Sequence, residues 1–394
     1  STRKIGDAES MLVAAETSGF KDFQDLLGPA GIQLNGAGAC DIQVHNPDLF
    51  RRVIRDGTVG LGEAYMDGWW DCDRIDELFC RGIKAGFEDA LRKKLRFLAF
   101  HFVHRIFNRQ SHKRAFIVGT RHYDIGNDLF DAMLDPHMNY SCGYWSNANN
   151  LASAQEAKMA LICRKLQLKP GMRVLDVGCG WGGVSRGMAL QYEVEVTGIT
   201  ISREQVDLAR QRCQGLPVMI ELMDYRDLSG QFDCIVSVGM FEHVGRQNYA
   251  SYFKIMHSLL VPGGLFLLQT IGARRHVYSL DPWIEKYIFP NGMLPPARAI
   301  VDGTDKLFTI EDWHNFGADY DRTLMAWYQN LIDAWPSLSG QYDDRFRRMF
   351  EYYLLTCAGA FRSRENQCWQ VVLSAGGQPK QWSLATQVED GPVQ

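Results

Sequence analysis

A glycine-rich turn is the first feature of this sequence with a clear chemical meaning. It lies in the stretch "VLDVGCGWGG", where Gly178, Gly180 and Gly183 match the G-x-G-x-x-G spacing of a dinucleotide-binding turn. The same glycines also match the looser turn of methyltransferases that bind S-adenosylmethionine. Both kinds of turn follow an apolar strand and precede a helix, so the spacing alone leaves the ligand open.

Three polar positions near the turn distinguish between these ligands. A dinucleotide site needs an acidic residue about 20 positions on, to bind the ribose hydroxyl, and this chain has Thr200 there. Asp176, in the preceding strand, would repel a pyrophosphate but suits the cationic amino-acid end of a ligand. The alternative is that the Asp176 carboxylate has a purely structural role and caps local amides. Asp224 follows the third strand, where its carboxylate can bind an adenine. Together these positions favour S-adenosylmethionine over NAD.

The elements that must position these residues follow an alternating order. From Leu151 the sequence predicts, in turn, "LASAQEAKMALICRKLQL" (helix), "RVLDVG" (strand), "GVSRGMALQY" (helix), "EVTGIT" (strand), "SREQVDLARQRC" (helix), "VMIELM" and "FDCIVSV" (strands), "QNYASYFKIMHSLL" (helix) and "GLFLLQTI" (strand). Such alternation is typical of parallel βαβ units, and a doubly wound sheet binds its ligand at the turn after its first strand. We therefore predict an α/β fold: a Rossmann-like S-adenosylmethionine-dependent methyltransferase domain with a smaller, mainly helical N-terminal domain.

Composition narrows the class of protein further. The 394 residues are 46% apolar and carry a net charge of −4, which is typical of a soluble globular protein and gives no reason to expect nucleic acid as a partner. The ten cysteines include no C-x-x-C pair, so we expect reduced thiols and no metal site. We find neither a signal peptide nor a run of 18 apolar residues, and therefore expect a cytoplasmic protein.

A basic amphipathic segment, residues 88–114, precedes the predicted catalytic domain. It has two acidic residues and eight basic ones: Arg92, Lys93, Lys94, Arg96, Arg105, Arg109, Lys113 and Arg114. Apolar residues recur between them at helical spacing, a pattern that suits a helix lying on an anionic bilayer. The alternative is a helix that links two domains and buries its apolar face in a core. We predict an N-terminal lipid- or membrane-associated domain over 1–105, a linker over 106–125 and a catalytic domain over 126–394.

Several longer motifs carry a resemblance to a known family. They are "LGEAYMDGWW", "HYDIGNDLF", "NYSCGYW", "GITISREQ", "SVGMFEHVG", "WIEKYIFPNG", "EDWHNFGADYDRTLMAW" and "CAGAFR". With these motifs the chain resembles the bacterial cyclopropane-fatty-acyl-phospholipid synthases and, more distantly, the mycolic acid cyclopropane synthases. The glycine loop is common to many methyltransferases, whereas "FEHVG", "YSC" and "GADYDRTL" in this order are specific to the group.

The resemblance implies a reaction and its partners. S-adenosylmethionine would methylate the cis double bond of an unsaturated acyl chain in a membrane phospholipid, and loss of a proton to bound bicarbonate would close a cyclopropane ring. It also implies an enzyme on the anionic inner face of the membrane, which we expect to be a homodimer. Two alternatives of the same fold remain: a methyltransferase acting on a small soluble alkene, and a membrane-binding scaffold without activity.

The same resemblance assigns roles to individual residues. The bicarbonate cage maps to Cys142, Glu242, Ile271 and Tyr320, and Cys357 is the position associated with active-site thiol sensitivity. The cofactor site, including the two carboxylates already discussed, comprises Tyr140, Ser141, Asp176, Gly178, Gly180, Thr200, Ser202, Gln205, Asp224, Tyr225 and Arg226. Glu242 can hold an anion only if it is protonated or shares a proton with it.

One position departs from the family pattern. Gln269 in "FLLQTIG" stands where the family usually has a histidine that contacts bicarbonate. A glutamine side chain can donate a hydrogen bond, but it cannot carry a positive charge or relay a proton. The substitution leaves two outcomes open: the same cyclopropane product, or a methyl- or methylene-branched chain.

Overall fold

The computed structural model describes residues 20–87, 126–274 and 280–376. The basic segment 88–114 and the predicted linker 106–125 lie outside these residues. The helices are α1 Asp48–Asp56, α2 Thr58–Met66, α3 Ile75–Lys84, α4 Asn127–Met133, α5 Leu151–Lys165, α6 Gly183–Tyr192, α7 Arg203–Arg212, α8 Tyr249–Leu259, α9 Pro282–Tyr287, α10 Ala297–Thr304, α11 Ala318–Leu338 and α12 Asp344–Arg362. The strands are β1 Gln43–Val44, β2 Trp70–Asp71, β3 Arg173–Val177, β4 Glu195–Thr200, β5 Val218–Leu222, β6 Phe232–Val238, β7 Leu260–Ala273, β8 Phe308–Asn315 and β9 Asn366–Ala375.

The chain divides into two compact units. The first, here called the helical unit, has as its described residues 20–87, 281–288 and 335–365; the remaining described residues form the sheet unit. This division differs from the predicted catalytic domain over 126–394, because two segments of that range pack with the N-terminal residues. The reason is visible in the helical unit, where α12 lies against α2 and α3 and the guanidinium of Arg348 reaches Asp71 at 2.7 Å.

The sheet unit contains one seven-stranded sheet in the order β5-β4-β3-β6-β7-β9-β8. Strands β5, β4, β3, β6 and β7 are parallel, which confirms the predicted α/β fold, whereas β9 pairs antiparallel with both β7 and β8. Neither β8 nor β9 was predicted from the sequence. The β7–β9 register places Gln269 opposite Gln370 and Ile271 opposite Cys368.

The central strands are apolar because helices cover both faces of the sheet. In β3, Val174, Leu175 and Val177 are completely buried, and they divide between the two apolar clusters on opposite sides. The helices begin at defined caps: Asn150 forms a capping box with Ser153 before α5, and Ser202 caps α7. This arrangement brings the carboxyl ends of β3, β4, β5 and β6 to one edge of the sheet, where ligands of doubly wound folds bind.

Among the described residues, no helix is both long enough and apolar enough to cross a bilayer. The same residues contain no group of three or more His, Cys, Asp or Glu side chains arranged to hold a metal ion.

Candidate active site

The glycine turn between β3 and α6 uses backbone conformations that favour glycine. Gly178 and Gly180 have φ angles of +85° and +55°, in the region that residues with a Cβ rarely adopt. Gly183, the first residue of α6, leaves no room for a side chain, since a Cβ there would lie 2.4 Å from the carbonyl oxygen of His137. The turn therefore exposes main-chain atoms to a pocket at the edge of the sheet.

That pocket gathers most of the predicted cofactor residues. Ten of them line it: Tyr140, Ser141, Asp176, Gly178, Gly180, Thr200, Gln205, Asp224, Tyr225 and Arg226. The eleventh, Ser202, does not line the pocket; its hydroxyl accepts a hydrogen bond from the backbone N–H of Gln205 at 3.3 Å and so caps α7. The structure thus gives Ser202 a supporting position beneath the pocket-lining Gln205.

Thr200 stands at the end of β4, where a dinucleotide site would have its acidic residue. The Thr200 hydroxyl donates to Oε1 of Gln205 at 2.7 Å. Because Oε1 is occupied, the Gln205 amide group is oriented with its N–H donors free for another acceptor. An N–H donor at this position can donate to the oxygen of a ribose hydroxyl. The carboxylate of a dinucleotide site would instead accept a hydrogen bond from that hydroxyl.

Two carboxylates at the pocket have different surroundings. Asp176 is buried and accepts a hydrogen bond from the Ser185 hydroxyl at 2.6 Å; burial raises its pKa to about 6. Asp224 is bound by the guanidinium of Arg226 at 2.7 Å and also accepts from the Arg226 backbone N–H. Asp176 is therefore the carboxylate of this pair without a cationic side chain hydrogen-bonded to it.

A second cluster of predicted residues surrounds Glu242. Its Oε1 accepts a hydrogen bond from the backbone N–H of Ile271 at 2.6 Å. Its Oε2 is buried and has no hydrogen-bond partner among the described residues. Burial raises the pKa of Glu242 to about 7, against the opposing effect of the Ile271 amide, so the neutral acid is well populated near neutral pH.

Tyr320 and Cys142 belong to the same cluster. Burial raises the pKa of the Tyr320 hydroxyl well above its usual value, and the neighbouring Cys142, Cys368 and Glu242 side chains add to that effect. Burial also raises the pKa of the Cys142 thiol, the neighbouring Cys368 adds to that effect, and the Cys142 S–H donates to the Gly143 carbonyl oxygen at 3.3 Å. The structure therefore brings Cys142, Glu242, Ile271 and Tyr320 together, with both the tyrosine and the thiol protonated.

Gln269 is buried beside this cluster and has a partner that the sequence did not indicate. The side-chain N–H of Gln370, on β9, donates to Oε1 of Gln269 at 3.0 Å. Its acceptor atom is thereby occupied, so the Gln269 side chain is left with its N–H groups as donors. The remaining predicted catalytic residue, Cys357, lies on α12 in the helical unit, where burial raises the pKa of its thiol to about 12.

Sequence reasoning missed several residues that the structure places at these sites. Asn139, Trp181 and His243 line the pocket, and burial lowers the pKa of His243 to about 4. All three fall inside the motifs "NYSCGYW", "CGWGG" and "FEHVG", so those motifs were the available signal. Cys368 and Gln370 had no such signal, because only the pairing of β9 with β7 brings them to the site.

Comparisons with known proteins agree with this architecture. Residues 110–371 match the family of mycolic acid cyclopropane synthetase. The chain is 58% identical over 357 residues to a cyclopropane-fatty-acyl-phospholipid synthase of Escherichia coli strain K12, covering 91% of this chain and 94% of that protein. It is 33% identical over 366 residues to the tuberculostearic acid methyltransferase UfaA1 of Mycobacterium tuberculosis, covering 85% and 83%.

Two solved structures are similar to this chain. The cyclopropane synthase MmaA2 from Mycobacterium tuberculosis matches with a TM-score of 0.63 and 31% identity, over 66% of this chain and 98% of that one. The mycolic acid cyclopropane synthase CmaA1, complexed with SAH and CTAB, matches with a TM-score of 0.62 and 30% identity over the same shares.

Proposed function

This chain belongs to the mycolic acid cyclopropane synthetase family, and from that premise we propose that it is a cyclopropane-fatty-acyl-phospholipid synthase dependent on S-adenosylmethionine. The observation that carries the proposal is the 58% identity to the Escherichia coli enzyme along nearly the whole of both chains. The substrate is the cis double bond of an unsaturated acyl chain in a phospholipid. Attack of the alkene on the donated methyl group would form a carbon–carbon bond, break the carbon–sulfur bond with release of S-adenosylhomocysteine, and leave a carbocation on the acyl chain. Loss of a proton from the added methyl would then supply the electron pair that closes the ring.

The pocket at the glycine turn fits S-adenosylmethionine, which supplies the electrophilic methyl group. Asp176, buried and without a cationic partner hydrogen-bonded to it, binds the ammonium of the amino-acid end, and Gln205 donates to the ribose. Replacing Asp176 with Asn keeps an acceptor for Ser185 but removes the charge. We expect it to weaken cofactor binding by about 2 kcal/mol. Calorimetry showing unchanged affinity would overturn this role for Asp176.

The cluster around Glu242 fits bicarbonate, which would supply the base for ring closure. Glu242 offers a buried Oε2 without a partner among the described residues, and in its neutral form that carboxyl donates a hydrogen bond to an anion. Tyr320 is protonated and Gln269 presents an N–H, whereas the Cys142 S–H donates to the Gly143 carbonyl oxygen at 3.3 Å. These groups bind an anion by hydrogen bonds without placing a formal negative charge against it.

A branched product is the second candidate, and Gln269 is the specific observation that favours it. If the cation left by methyl addition does not close to a ring, it loses its proton by another route. A 1,2-hydride shift followed by proton loss from the added methyl gives a methylene-branched chain, and proton loss from a neighbouring chain carbon gives a methyl-branched, still unsaturated chain. Expression in a bacterial host that lacks cyclopropane lipids, followed by proton NMR of extracted phospholipids, separates the outcomes, because the cyclopropane methylene and an exocyclic alkene give different signals. Cyclopropane signals support the proposal; unmodified lipids from a folded, expressed enzyme would overturn it.

We also propose that the protein binds peripherally to the anionic cytoplasmic face of the membrane through residues 88–114. The support is the sequence pattern of this segment, with its excess of basic residues between apolar ones. Replacing Arg92, Lys93, Lys94 and Arg96 with glutamine is expected to weaken vesicle binding, at about 1 kcal/mol for each charge near the surface. If the variant floats with anionic liposomes as the wild type does, and salt does not change the flotation, the segment is only a linker. Light scattering of the purified protein tests the expected homodimer.

A further inference from the structure

Lys158 is a completely buried lysine that the proposed chemistry leaves without a role. It lies on α5, and its Nζ donates to the hydroxyl oxygen of Ser141 at 2.7 Å. Burying an ammonium group is costly unless its charge and its N–H donors are compensated. Burial lowers the pKa of Lys158 to about 8, while the carboxylates of Asp135 and Asp176 act in the opposite direction.

The direction of this hydrogen bond determines what Ser141 can do. An ammonium group has donors and no acceptor, so the Ser141 oxygen must accept from Lys158. The hydroxyl proton of Ser141 is then available to donate to a different group. Ser141 lines the cofactor pocket, as does Asp176, which can only accept while it is ionised.

These two side chains together match a zwitterionic amino-acid group. The Asp176 carboxylate accepts from an ammonium, and a Ser141 hydroxyl constrained to donate binds a carboxylate. We propose that Lys158 is a positioning residue that makes Ser141 a hydrogen-bond donor to the carboxylate of the cofactor's amino-acid end. This inference rests on the proposed S-adenosylmethionine-dependent function and deepens it.

The chain offers a matched control on the same helix. Gln155, three residues before Lys158, donates to the backbone carbonyl of Ser141 at 2.8 Å and is also completely buried. It therefore supports the same loop, but it has no influence on the direction of the Ser141 hydroxyl. If Lys158 only supports the loop, replacing Lys158 or Gln155 should affect ligand binding in the same way. If Lys158 sets the direction of the Ser141 hydroxyl, the two replacements should affect it differently.

The test compares two ligands that differ in the amino-acid end. S-adenosylhomocysteine has the ammonium and the carboxylate, and methylthioadenosine has neither. Calorimetry with the full chain is expected to show that Lys158→Met weakens S-adenosylhomocysteine binding at least about tenfold while methylthioadenosine binding changes less than about twofold. Ser141→Ala is expected to give the same selective loss, and the double variant no further loss. Gln155→Met is expected to change the two affinities in parallel.

Several results would overturn the inference. Equal losses for both ligands in Lys158→Met would reduce Lys158 to a structural role, as would additive losses in the double variant. If Lys158→Met does not fold, Lys158→Gln decides, because an amide can donate or accept and no longer forces Ser141 to donate; the selective loss is still expected. A wild-type protein that binds neither S-adenosylhomocysteine nor S-adenosylmethionine would instead overturn the proposed function, so the two failures are distinguishable.

Discussion

Glu242 combines a buried carboxyl oxygen without a partner among the described residues and a pKa raised by burial to about 7. A carboxyl group whose pKa is higher in the folded than in the unfolded chain stabilises the fold fully below the unfolded value, about 4.5. That contribution is lost as the pH rises to about 7, because the folded chain must then release a proton that it holds more tightly than the unfolded chain does. Glutamine at this position stays neutral at every pH.

We therefore expect Glu242→Gln to remove this part of the pH dependence of stability. Between pH 5 and pH 8 the wild-type free energy of unfolding should fall relative to that of the variant by on the order of 2 kcal/mol, at about 1.4 kcal/mol per pKa unit. Denaturant unfolding at the two pH values measures the difference. Parallel pH profiles would show that Glu242 titrates normally.

Gln269 has its acceptor atom occupied by Gln370 and its N–H groups free to donate. If it replaces the family histidine only as a donor, Gln269→His keeps the cyclopropane product and holds or raises the rate. Gln269→Leu removes one donor from a buried anion, at about 1–3 kcal/mol, and so raises the bicarbonate requirement before cofactor binding suffers. Activity over a bicarbonate titration, with proton NMR of the lipid, measures both effects. A change from branched to cyclopropane product in the histidine variant would instead make Gln269 a switch of reaction outcome.

At the scale of elements, the first turns of α11 hold the loop that contains Cys142. Thr323 accepts hydrogen bonds from the backbone N–H of Gly143 at 3.1 Å and from the indole N–H of Trp145 at 2.9 Å, and it donates to the Asp319 carbonyl. The Asp319 carboxylate also accepts from the Trp145 backbone N–H. One helix thus presents Tyr320 and positions the loop beside it.

Replacing Thr323 with Val should leave two buried N–H donors without an acceptor. Each such donor costs about 1–3 kcal/mol, so we expect a loss of stability of that order or more and a lower kcat as the loop shifts. Thr323→Ser keeps the hydroxyl and is the matched control, with near-normal values expected. Thermal unfolding and steady-state kinetics measure the two effects. A Thr323→Val variant as stable and as active as Thr323→Ser would show that the hydrogen bonds of the Thr323 hydroxyl do not hold the loop.

At the scale of the whole molecule, the helical unit is assembled from three separate stretches of chain. Its N-terminal residues pack against α9 and α12: a Cβ on Gly62 would lie 2.5 Å from the Trp283 indole, and the Tyr65 and Tyr352 rings are 5.6 Å apart. Glu63 also accepts hydrogen bonds from Lys286 and Tyr287. The N-terminal residues therefore lack much of their core when they are separated from the later segments.

A fragment of residues 1–107 is accordingly expected not to fold on its own. Circular dichroism should show reduced helix content, and denaturant should give no cooperative transition, because the surfaces that cover Tyr65 and its neighbours are missing. Joining the fragment to residues 335–365 through a flexible linker restores α12 and should recover a cooperative transition. Cooperative unfolding of the short fragment would mean that the N-terminal part is an independent domain.

Local pattern was enough to predict the parallel part of the sheet. The segments "GVSRGMALQY" and "EVTGIT" coincide with α6 and β4 as observed, since buried strands are apolar throughout and helices keep a regular apolar face. The glycine turn and the polar residues after β4 and β5 also follow from short-range order, because the topology brings the carboxyl ends of neighbouring parallel strands to one edge. These features need no knowledge of distant contacts.

The tertiary structure alone decided what depends on contacts far apart in sequence. Gln370 reaches Gln269, and Cys368 reaches Cys142, because β9 pairs antiparallel with β7 across about a hundred intervening residues. No local periodicity specifies the register of such a pair, which is set by packing on both faces of the sheet. The same holds for Lys158, whose apolar neighbours along α5 would predict a hydrophobic residue. It also holds for α12, which carries the "CAGAFR" motif yet packs in the helical unit.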